Sequence, residues 1–129
     1  MAKNKPYGWT LLDQAESLEA AGLDPNTADM TFAAGTLIAV PFKETFFSDK
    51  KPCWSVGRLL SLMPRIGCCA GNLFHDDSEF YCQYMDEDGI GSEDIQCFVA
   101  DDPVTPAVDM VLYLLNHNYI KKYEKDNVQ

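Results

Sequence analysis

Ser55-Val56-Gly57-Arg58-Leu59-Leu60-Ser61-Leu62-Met63-Pro64 is followed, from Arg65 onward, by a chain of a different kind. In the first stretch Ser55 offers a cap, Val56, Leu59, Leu60 and Met63 recur at helical spacing, and Pro64 stops the helix. From Arg65 to Ala100 that period disappears. Leu73-Phe74-His75, Glu79 to Met85 and Ile95 to Ala100 are short β-type runs, punctuated by Gly67, Gly71-Asn72, Asp76-Asp77 and Gly89-Ile90-Gly91. Such spacings predict an antiparallel meander, and a helix running into a meander predicts an α+β fold.

Working outward, Leu11 to Ala21 reads as a first helix, with Thr10 as its cap, Asp13 in its first turn and Gly22 as its left-handed exit. Leu11, Ala15 and Leu18 share one face. Asp24-Pro25 opens a turn or short helical turn. Thr31-Phe32 and then Gly35 to Phe42 are rich in β-formers, and Pro41 assigns that strand or Gly-broken hairpin to an edge. Lys43 to Lys51 reads as a polar loop carrying Phe46 and Phe47. At the other end Thr105-Pro106 opens a helix whose Val108, Val111, Leu112 and Leu115 keep the helical period to about Asn118. Trp9 and Trp54, each just ahead of a helix, are expected to pack beneath it as staples. The prediction is therefore one α+β domain over residues 1–129, with the first, second and last helices on a small, mostly antiparallel sheet. Residues 1–8 and 121–129 are expected to fray.

The 129 residues suit a single domain, and 47% apolar content is enough for a core without disulfides or metal. No run approaches the roughly 18 apolar residues of a membrane span, and Met1 to Trp9 lacks a signal-peptide core, so a cytoplasmic protein is expected. Its five cysteines are an odd number and contain no Cys-x-x-Cys, so reduced thiols are expected and no cofactor is called for.

The net charge of −10 is concentrated in one part of the chain. Residues 66–120 contain eleven Asp and Glu and no Lys or Arg, whereas residues 1–65 contain seven of each sign. A segment without cations cannot make phosphate contacts, which argues against direct binding to nucleic acid or an anionic membrane. The same segment suits a basic protein partner. Asp86, Glu87, Asp88, Glu93 and Asp94 form its densest cluster, and the adjacent loop aromatics Phe46 and Phe47 are a second candidate contact.

The acidic cluster is not an EF-hand. With Gly89 at the sixth loop position, Tyr84 and Ile95 occupy the first and twelfth, where carboxylates are required. Gly89-Ile90-Gly91 lacks a third glycine and a preceding βα unit, so it is no dinucleotide fingerprint. The alternative to an interaction module is a small metal-binding protein or enzyme built on Cys68, Cys69 and His75. No glycine elbow or other catalytic signature surrounds those residues.

The phrases Ala21-Gly22-Leu23-Asp24-Pro25-Asn26-Thr27-Ala28-Asp29-Met30, Pro52-Cys53-Trp54-Ser55-Val56-Gly57-Arg58-Leu59-Leu60-Ser61-Leu62-Met63-Pro64, and Ala107 with Leu114-Leu115-Asn116-His117-Asn118-Tyr119-Ile120, resemble an uncharacterised family. Its members are small proteins of gut bacteria and their prophages. The resemblance implies a phage or mobile-element setting and a scaffold role for the shared segments. It implies no activity and transfers no site residues. The favoured expectation is a noncatalytic acidic module that binds a basic protein. A homodimer is compatible with the same sequence.

Overall fold

The computed structural model describes residues 8–32, 39–41 and 51–123. Its elements are α1 (Leu12–Ala21), a 3₁₀ turn (Pro25–Thr27), β1 (Met30–Phe32), β2 (Ala39–Pro41), β3 (Lys51–Cys53), α2 (Val56–Ser61), β4 (Ala70–Asp76), β5 (Glu79–Met85), β6 (Phe98–Ala100) and α3 (Val104–Asn116). The arrangement is α+β, with the strands divided between two antiparallel sheets instead of forming one. Their orders are β2-β1-β3 and β4-β5-β6.

Helix α3 joins the two halves. Apolar residues surround most of its circumference, the pattern of a helix buried on several sides. Val104, Ala107, Val108, Val111 and Leu115 pack with Ala15, Leu18, Phe32, Trp54 and Leu59. Met110 and Leu114 face the other way, against Cys82, Tyr84 and Ile95. One helix thus closes a core on each side of itself, which is how two sheets too small to stand alone become one domain.

Several local expectations hold. Ser55 Oγ accepts from Arg58 N and caps α2, Asp24 Oδ1 accepts from Asn26 N ahead of Pro25, and Gly22 leaves α1 with φ 110°. Pro41 lies on the edge strand β2. Trp54 is fully buried, and its indole N–H donates to Thr27 Oγ1.

Other details differ, each for a physical reason. Thr10 is not the cap of α1. It is buried, its hydroxyl accepts from Trp54 N, and its own N–H donates to Trp54 O, so it stitches the start of α1 to the end of β3. Leu11 takes the cap position, and its N–H is satisfied by Gln14 Oε1. Trp9 is 41% exposed rather than packed beneath its helix. Lys51-Pro52-Cys53 pairs as an edge strand with β1, where the missing N–H of Pro52 is tolerated. Gly71-Asn72 lies within β4 and not between strands. A Cβ on Gly71 would sit 2.7 Å from Met63 Sδ, so glycine here permits close approach to the segment after α2. Lys121 to Tyr123, expected to fray, turns back after Asn118 (φ 66°) and donates from Tyr123 N to Gly22 O at 2.7 Å. No helix among the described residues is long and apolar enough to cross a membrane.

Candidate functional site

The β4-β5-β6 sheet has a covered face and an open one, and the register assigns each residue to its side. Cys82 and Tyr84 are fully buried, so alternation puts Tyr81, Gln83 and Glu79 on the opposite face. Phe74 pairs with Tyr81, and Tyr81 with Val99, which makes a row across all three strands. Phe74 is 37% and Val99 44% exposed. The Phe74 and Tyr81 rings stack with centroids 5.2 Å apart and planes 7° apart.

One step further along the same face, Asp76 and Glu79 stand directly opposite each other at the end of the hairpin. Asp77 completes the acidic rim in the turn, with φ 54°, a conformation that Asp tolerates better than most residues. Like charges paired across strands are destabilising. Neither the Asp76 nor the Glu79 carboxylate has a hydrogen-bond or ion-pair partner among the described residues. Their field is felt at the neighbouring phenol. Desolvation first, then the carboxylates of Glu79, Asp76 and Asp77, raise the Tyr81 pKa above its ordinary value.

The cluster after β5 is a shaped loop. Asp86 Oδ1 accepts from Asp88 N and Ile90 N, and Asp86 N donates to Ile90 O, so this carboxylate is occupied in holding the turn. Ser92 Oγ accepts from Asp94 N. Tyr113 Oη, on α3, donates to Asp94 O and ties the loop to the helix. Glu87, Asp88, Glu93 and Asp94 are exposed, while Ile95 between loop and strand is buried in the second core. The loop thus presents four carboxylates outward on a backbone held from within.

The Cys68, Cys69 and His75 set is not brought together. Cys68 and Cys69 lie in the turn closed by the Ile66–Cys69 bridge, and His75 lies at the far end of β4, its ring 4.4 Å from that of Phe80 with the planes tilted by 40°. Six extended residues span roughly 20 Å. No group of three His, Cys, Asp or Glu side chains suited to a metal occurs among the described residues. The buried thiols are poor nucleophiles at neutral pH, because desolvation pushes Cys53 up to about 11 and Cys82 up to about 12. Phe46 and Phe47 lie outside the described residues.

The open aromatic row depends on strand register, which residue type alone does not set, although the sequence carries its sign. Glu79 to Met85 has aromatic residues at both parities, Phe80 and Tyr84 on one side and Tyr81 on the other. A hairpin with Asp77-Ser78 at its tip sets Phe74 opposite Tyr81. No protein-family profile, curated protein or solved structure matches the chain.

Proposed function

We propose that the protein is a noncatalytic interaction module that receives a basic partner protein, in the phage or mobile-element setting implied by its sequence phrases. The observation that carries this is the outward display of Glu87, Asp88, Glu93 and Asp94 on a loop whose own hydrogen bonds fix its shape. No Lys or Arg between residues 66 and 120 offsets them. A preformed acidic surface loses little freedom when a cationic partner docks, and its field speeds the encounter.

The test is a pull-down from a lysate of the native host at low and moderate salt, using the wild type and the variant Glu87→Gln/Asp88→Asn/Glu93→Gln/Asp94→Asn. Asp86 is left in place because it holds the turn. Basic proteins retained by the wild type should be released by moderate salt and lost with the variant. Equal retention by the two proteins at both salt concentrations would refute the reading.

A further inference from the structure

We infer that the open face of the β4-β5-β6 sheet holds an arginine side chain from an extended basic segment of another protein. Its methylene stem would lie across the Phe74–Tyr81 ring pair, and its guanidinium would sit between the carboxylates of Asp76 and Glu79. This rests on reading the protein as a receiver of basic partners, and it assigns that role a site apart from the 86–94 loop.

The rings and the carboxylates occupy consecutive rows of one face, Phe74 with Tyr81 and Asp76 with Glu79. Two residues along a strand cover about 6.6 Å, within reach of an extended arginine side chain. Exposed Phe74 and Val99 flank Tyr81 in a continuous strip, unlike the isolated apolar side chains common on surfaces. The opposed carboxylates supply the second requirement. They repel each other in the free protein, and a cation placed between them turns that repulsion into attraction.

The chemistry favours guanidinium over ammonium. A planar guanidinium offers a rigid fork of donors that can serve two opposed carboxylates at once, whereas a lysine head is a compact, strongly hydrated point charge. Stacked rings on an open sheet also suit nucleic-acid bases, but the carboxylate rim would repel the phosphates that must accompany them. A symmetric second copy would bring its own Asp76 and Glu79 against the same rim, from a segment without cations. A basic segment of another protein is the occupant that satisfies both rows.

The experiment is fluorescence anisotropy with the full chain and a labelled peptide of alternating Arg and Thr, at about 0.15 M salt, where exposed charges beyond roughly 8 Å are screened. Peptides with Lys or citrulline in place of Arg are the comparisons. Phe74→Ala removes the ring surface on which the stem lies, and should weaken Arg-peptide binding about two- to fivefold. Asp76→Asn/Glu79→Gln should weaken it about three- to tenfold. The latter pair should also raise the melting temperature, because it removes a like-charge pair. That readout keeps a folding defect from being mistaken for lost binding. The Lys peptide should bind more weakly than the Arg peptide, and the citrulline peptide should not bind.

Three outcomes would overturn the inference. If the 86–94 quadruple variant abolishes binding while both sheet variants bind as wild type, the site is wrong and the interaction reading stands. Equal binding of the Lys and Arg peptides would remove the guanidinium assignment. Failure of the wild type to bind any cationic peptide would overturn both the site and the reading beneath it.

Discussion

Replacing Asp102 should damage the protein more than its place in a short connection suggests. Asp102 is 4% exposed, and its carboxylate accepts from Val104 N at 2.9 Å, Thr105 N at 2.7 Å and Thr105 Oγ1 at 2.7 Å. It therefore caps α3. The Thr105 hydroxyl also accepts from Gln14 Nε2 at 3.1 Å, and Gln14 Oε1 accepts from Leu11 N at 2.9 Å. One side-chain chain thus satisfies the starts of both α1 and α3. Asp102→Ala loses the cap on the half-buried Thr105 N–H, about 1 kcal/mol, and leaves the buried Val104 N–H without a partner, which costs about 1–3 kcal/mol where water cannot reach. The sum should fall at about 2–4 kcal/mol, a large share of the roughly 5–15 kcal/mol of a domain. With a urea slope of about 2 kcal/mol per molar, the midpoint should drop by about 1–2 M. Asp102→Asn keeps an acceptor and should lose about half as much. A double-mutant cycle between Gln14→Ala and Thr105→Val should show coupling of about 0.5–1.5 kcal/mol. A loss below about 0.5 kcal/mol in Asp102→Ala would refute the role given to this carboxylate in holding α3.

Gly22→Ala puts an L residue at φ 110°, and its Cβ would lie 2.9 Å from Lys122 Cβ. It should cost about 1–3 kcal/mol in thermal or urea unfolding, and hydrogen exchange should show the Tyr123 amide losing protection. Leu59→Ala, at a fully buried position of the first core, should cost about 2–5 kcal/mol, with a loss near zero contradicting the packing of α2 on α3. Stability should fall at alkaline pH. Burial raises Cys53 from an ordinary 9.0 to about 11 and Cys82 to about 12, so the unfolded chain releases protons first, and the contribution of each thiol is intact below pH 9.0 and lost above it. Each thiol adds a slope of up to about 1.4 kcal/mol per pH unit in that window. Urea titrations from pH 9 to about 11 should show the decline, and Cys82→Ala should make it shallower while the share of Cys53 remains. A wild-type midpoint constant over that range would be the contrary result.

What could be read from the sequence was local, and what escaped it was pairing. Ser55, Asp24 and Gly22 act within four residues of themselves through hydrogen bonds or a backbone angle, so their roles follow from residue type and spacing. Thr10 shows the limit. By type it is as good a cap as Ser55, but its partners Cys53 and Trp54 lie more than 40 residues away, and their contacts bury it. Lys51-Pro52-Cys53 carries no β preference and becomes a strand because β1 offers it an edge. The same distinction runs through the candidate site. The acidic character of residues 66–120 is a property of composition and was visible at once. Which acids remain available is a property of hydrogen bonding: Asp86 and Asp102 are occupied by backbone donors, whereas Asp76 and Glu79 face each other. Charge count alone treats these carboxylates alike. If cationic partners come to this protein because of its field, the arrangement implies that they are held by the acids its own backbone has not already used, and two of those, Asp76 and Glu79, border the aromatic row that the β4-β5-β6 register leaves open.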